Sequence, residues 1–206
     1  MRWLFSTLAA LFLLWLVFLL SPYAALYSFA RALETKDVRA VAERVDFLKL
    51  RVSLASQLSS AYLNAKKGPQ EQGGFGQLAV GAGASFIDPL LEPYATPEAL
   101  VEVFTKGLPG LRRPGAQGEA GLIPSNLSGL SAERARQIVI AVEGRGFTGF
   151  AVGLPLEARP EERVRAVFRL SGISGGLTWR LVGLELPPAI RERIVAEIGK
   201  REGQER

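Results

Sequence analysis

An uncharged, almost wholly apolar run from Trp3 to Leu20, interrupted only by Ser6 and Thr7, limits this chain more than any other feature. As a helix the run rises about 27 Å at 1.5 Å per residue, close to the ~30 Å hydrocarbon core of a bilayer. A helix also satisfies its own backbone hydrogen bonds, which lipid cannot do. Trp3 and Trp15, with Tyr23 and Tyr27, set aromatic rings toward the two ends, where interfacial anchors belong. Membrane lipid is therefore the expected partner of a single-pass anchor over residues 1–21. The competing reading is a cleaved secretory signal. Signal cores are shorter, about 7–15 residues, and cleavage needs small residues at −3 and −1. Here the run ends in Ser21-Pro22-Tyr23-Ala24-Ala25, where Tyr23 interrupts the nearest such pair.

Orientation rests on weaker ground. Only Arg2 and the α-amino group precede the run, while Arg31, Lys36 and Arg39 lie after it, so the positive-inside tally does not favour a cytoplasmic N-terminus. An anchor at the extreme N-terminus nevertheless tends to export the domain attached to it, and large domains translocate with little regard to charge. The expected arrangement is a single pass with an extracytoplasmic domain.

With 206 residues in all, the chain has room for one domain plus this appendage. Charged residues make up 22% and hydrophobic ones 48%, which excludes a mostly disordered chain. The net charge is +5, and the basic residues are interleaved with Glu rather than massed. Anionic headgroups or a small anionic ligand are thus plausible partners, and nucleic acid is a poor one. There is neither cysteine nor histidine, which removes thiol chemistry, disulfides and imidazole bases or metal ligands. No metal and no cofactor is expected.

Beyond the run, Ser21-Pro22 reads as cap and first residue of a new helix, with Tyr23, Leu26, Tyr27, Ala30 and Leu33 as its apolar stripe. Asp37 would cap a short second helix carrying Val38, Val41, Ala42 and Val45. A third, from Phe47, carries Leu50, Leu54, Leu58 and Tyr62 at spacing four. Residues 64–84 and 107–130 are Gly-rich and read as loops, with a weak helix at Phe86, Ile87, Leu90 and Leu91 after the first. Their glycines fit no phosphate-binding pattern. Thr96-Pro97-Glu98 opens another helix, ended by Gly107.

The last third changes period. A hairpin centred on Arg145 would set Ile140 opposite Phe150 and Ile138 opposite Val152. In the next run Val164, Ala166, Phe168 and Leu170 alternate with Arg163, Arg165 and Arg169. Pairing across SGISGG sets Phe168 opposite Trp179 and Ala166 opposite Leu181. A slip of one residue would put arginine in the core. Pro187-Pro188 starts a final helix with Ile190, Ile194 and Ile198, and residues 201–206 form a polar tail. The domain over 22–200 is thus α+β, helices packed on a four-stranded antiparallel sheet, compatible with a cystatin-like or nuclear-transport-factor-two-like cone.

Three stretches resemble a bacterial family, domain of unknown function 2939. They are the helical region with Tyr27, Asp37, Val45-Asp46-Phe47 and Arg51, the Thr96-Pro97-Glu98 start, and the strand LTWRLVGLELP. The likeness spans roughly residues 20 to 190. It implies a membrane-associated bacterial protein and no particular activity.

Few residues stand out as candidates for a site. Asp46 sits between two apolar helices, five residues before Arg51. It could be a pocket general base with a raised pKa, or the N-cap of the third helix paired with Arg51. Arg163, Arg165 and Arg169, with Arg180 on the next strand, form a basic sheet face that could hold an anionic headgroup, a phosphate or an acidic peptide, or could simply be the solvated side of the sheet. Trp179 could line a cavity or belong to the core. The expected role is a non-enzymatic binding or scaffolding module of the cell envelope. The alternative is an Asp-based enzyme, for which only Asp46 and Asp88 are available.

Overall fold

In the computed structural model, which describes residues 2–66, 91–92, 95–106, 140–155, 158–172 and 178–204, the chain opens with one helix, α1, running unbroken from Arg2 to Glu34. Every side chain from Trp3 to Leu20 is exposed, Trp3 at 90%. An all-round apolar helix face with nothing packed on it is stable in lipid and costly in water. By length and composition, this helix can cross a membrane.

The expected helix start at Ser21-Pro22 is not there, because Pro22 lies inside α1. Proline has no N–H to donate to the carbonyl four residues back, here that of Phe18. The Ser21 hydroxyl takes that place, donating to the Phe18 carbonyl at 2.8 Å. The helix then continues with a one-sided pattern, burying Phe29, Ala30, Ala32 and Leu33.

Helix α2 (Val38–Arg44) is capped as its sequence requires, with Ala40 N–H donating to Asp37 Oδ1 at 2.9 Å. Helix α3 (Phe47–Lys66) buries Leu50 and Leu58 and half-buries Leu54. Helix α4 (Pro97–Lys106) begins at the Thr96 cap, whose Oγ1 accepts from Ala99 N–H at 3.2 Å, and buries Leu100, Val101 and Phe104. Of the loop expected over 64–84, residues 64–66 belong to α3 and the rest lies outside the described residues, as do the loop expected over 107–130 and the weak helix around Phe86 to Leu90.

The sheet is a meander of four antiparallel strands in the order β1 (Val142–Gly144), β2 (Gly149–Leu154), β3 (Val164–Ser171) and β4 (Thr178–Glu185). Its faces fall as the alternation predicts, with Val164, Ala166 and Phe168 inward and Arg165 and Arg169 outward. Its registers do not. In the first hairpin Val142 faces Val152 and Gly144 faces Phe150, four residues from the expected pairing, and Ile140 stands 69% exposed outside the strand. The connection is a loop over 145–148, with Gly146 at φ 76° and Arg145 N–H donating to the Gly149 carbonyl at 2.8 Å. In the last hairpin Trp179 faces Leu170 and Leu181 faces Phe168, a shift of two from expectation. A bulge then leaves Val182 as the extra residue, so that Leu184 faces Ala166.

Between sheet and helices lies an aromatic core. Phe168 stacks on Phe150 (4.8 Å between centroids) and meets Phe29 edge-on, Phe29 meets Phe104 edge-on, and Trp179 packs its edge against Phe150. β4 would be an open edge, but α3 closes it. Asp46 N–H donates to the Leu181 carbonyl at 2.9 Å, the Gln57 side-chain amide donates to the Leu184 carbonyl at 2.8 Å, and the Gln57 side-chain oxygen accepts from Leu186 N–H at 3.0 Å. Gln57 thus occupies strand-edge groups that would otherwise invite another chain. The final helix, α5 (Pro188–Gln204), starts where Pro187-Pro188 predicts and runs on into the residues expected as a polar tail.

Candidate functional site

Asp46 stands at the junction of α2, α3 and the β4 edge. Its Oδ1 accepts from Lys49 N–H at 3.1 Å and its Oδ2 pairs with Lys49 Nζ at 2.8 Å, the arrangement of an N-cap. Partial burial pushes its carboxyl pKa up. The Lys49 hydrogen bonds and charge, with the more distant Arg180, outweigh this and hold it below the ordinary carboxylate value. A general base at neutral pH needs the opposite shift. The ion-pair partner of Asp46 is Lys49 rather than Arg51, whose guanidinium instead lies 3.9 Å from Glu92. Asp88, the other carboxylate considered, lies outside the described residues. No cluster of three or more potential metal ligands occurs among the described residues.

The cap makes a prediction with a definite sign. Because the folded chain favours ionised Asp46, its stabilisation is complete above the ordinary carboxylate range and is lost as pH falls through the lowered folded value. At neutral pH, D46A should lose about 1 kcal/mol of stability. D46N, which keeps an acceptor oxygen, should recover most of it. Chemical denaturation followed across pH checks both, and the gap between D46A and wild type should close in acid.

The four arginines of the basic face do not act as one group. Arg163 lies against Gly153, where an added Cβ would fall 2.9 Å from its Cδ, and it donates from Nε to the Ala158 carbonyl at 2.9 Å. Arg165 is 3.6 Å from Glu143 on the outer face. Arg169 and Arg180 are exposed and stand directly opposite each other on β3 and β4. The outer face carries one further ion pair that sequence reasoning missed, the bidentate contact of Arg145 with Glu185 at 2.6 and 2.7 Å. Forty positions separate these partners, and no local pattern announces them.

Trp179 is core on its ring and polar at its tip. It is 9% exposed, and its Nε1–H donates to Ser21 Oγ at 2.9 Å. The same hydroxyl that repairs the helix at Pro22 therefore fastens β4 to α1, one residue beyond the apolar run. Tyr23, also expected near the interface, is half-buried two residues further on. The structure thus brings Trp179, Arg180 and Arg169 together at one end of the sheet, and leaves Asp46, Arg51, Arg163 and Arg165 in separate contacts. Phe147, in the turn between β1 and β2, was missed although a lone aromatic flanked by glycine in a turn is itself a signal. It is 89% exposed.

No curated protein and no solved structure matches the chain. The model of the family described as Protein of unknown function (DUF2939) matches residues 11–103. The match begins within the apolar part of α1, takes in α2 and α3, and ends in α4. The sheet, with the Trp179 strand that also carried the resemblance, lies beyond it. Through its helical region, less than half of its length, this chain is similar to that family of proteins of unknown function.

Proposed function

We propose that the chain is a single-pass, membrane-tethered binding or scaffolding domain of the bacterial cell envelope, held outside the cytoplasm and working without catalysis. The observation that carries this reading is the passage of one helix from an all-exposed apolar stretch, Trp3–Leu20, straight into the core at Phe29 and Leu33. Cleavage after Ala25 would cut α1 and remove Ser21 from its bond with Trp179, which favours an uncleaved anchor. The lowered pKa and capping geometry of Asp46 favour a module over an acid–base enzyme. Its partners would be lipid along α1 and, on the domain, a small anionic ligand or a protein of the envelope.

Reporter fusions at the C-terminus test the arrangement. Alkaline phosphatase, which is active only outside the cytoplasm, should be active, a cytoplasmic reporter should stay silent, and the chain should resist carbonate extraction. The reverse reporter pattern would place the domain inside. Loss to the soluble fraction would remove the tether.

A further inference from the structure

One end of the sheet carries three exposed side chains that the fold itself does not use. Strand pairing gathers them. Gly149 faces Arg169, Arg169 faces Arg180, and Leu170 N–H donates to the Thr148 carbonyl at 2.9 Å, so the 145–148 turn lies beside the adjoining ends of β3 and β4. Trp179, next to Arg180, is bonded to Ser21. Phe147, Arg169 and Arg180 therefore sit at the end of the sheet that is fastened to α1 where the helix leaves its apolar stretch.

Each of the three is unfavourably placed in water alone. Phe147 is 89% exposed, whereas Phe150 and Phe168 on the neighbouring strands are buried. Arg169 and Arg180 are like charges directly across a strand pair, an arrangement that repels unless an anion lies near. Among the described residues neither has a carboxylate within ion-pair distance. Asp46 acts on Arg180 only through space, and its own carboxylate is bonded to Lys49. An anionic bilayer surface relieves both problems, because its phosphates accept from guanidinium groups and its interface takes an aromatic ring.

We infer that this tip docks on the anionic lipid surface beside α1, with Phe147 entering the headgroup boundary and Arg169 and Arg180 binding lipid phosphates. The inference rests on the tethered reading of α1. Each arginine near such a surface favours the docked state about fivefold, so the pair contributes roughly twenty-five-fold.

The absence of native cysteine makes the test simple. A nitroxide is attached to full-length T148C, which leaves Phe147 in place, or to E161C at the far end of β3. Each is reconstituted into nanodiscs of phosphatidylcholine alone or with one quarter phosphatidylglycerol. Spin-label collision with oxygen and with a water-soluble nickel complex reports depth. The label at 148 should be shielded from nickel in the anionic discs and exposed in the neutral ones, with 161 exposed in both. R169Q/R180Q and F147S, surface changes that spare the fold by circular dichroism, should each expose position 148, the former removing the lipid dependence. High salt should weaken docking of the wild type. A label at 148 as wet as that at 161, or equally shielded in neutral discs, overturns the inference while the tether stands. A chain that does not enter nanodiscs overturns both.

Discussion

Replacing Phe168 by alanine should cost about 3–5 kcal/mol of folding stability. The ring is 1% exposed, stacks on Phe150 with an interplanar angle of 8°, and meets Phe29 edge-on at 5.5 Å. Truncation removes apolar area, leaves a cavity between sheet and α1, and breaks two aromatic contacts at once. A domain of this size has only about 5–15 kcal/mol in hand, so a large share would go. F168L should recover much of the loss. Phe147→Ala, at a ring that touches little, should change stability by less than about 0.5 kcal/mol. Urea denaturation of the full chain in micelles separates the cases. Equal losses at 147 and 168 would contradict the placement of the core.

Two arginines in the middle of the apolar stretch, L11R/L14R, should release the chain from the membrane. Each charge near a helix centre costs about 2.5–3.5 kcal/mol of insertion, to which the lost leucines add a few tenths. The pair therefore opposes insertion by about 6 kcal/mol. Leu11 and Leu14 are exposed and support nothing in the folded domain, so the fold should survive. L11A/L14A, which removes apolar area without adding charge, should remain in the carbonate-resistant pellet. If the doubly charged chain stayed there too, something other than this helix would hold it.

Burial pattern and register have different physical origins, and the sequence displays only the first directly. The alternation of Val164, Ala166 and Phe168 with Arg165 and Arg169 determines which face is inward, because a one-residue slip buries guanidinium groups. Both hairpins depart from expectation by even numbers, four residues at β1 and two at the tip of β4. An even shift keeps every side chain on its face, so hydrophobic patterning cannot detect it. The turn decides instead, and a loop over 145–148 with a left-handed Gly146 differs from a tight turn centred on Arg145 by that kind of shift.

The misread start at Pro22 has a similar cause. Proline at a helix start is a sound local rule, but a hydroxyl one residue earlier can serve the carbonyl that proline leaves unpaired. Caps were easier to read. Asp37, Asp46 and Thr96 each bond within three residues, so their sequence context contains the whole interaction. The bonds of Trp179 to Ser21, Gln57 to Leu184 and Arg145 to Glu185 join distant parts of the chain, and only the finished fold brings them together.

The repaired helix at Pro22 also has a mechanical meaning. A domain hung from a supple linker is deaf to how its stem leans. Here shaft and head share one helix, and the indole of Trp179 pins them at the collar. In the tethered arrangement proposed above, a lean of the stem set by bilayer thickness would reach the sheet as a change of heading.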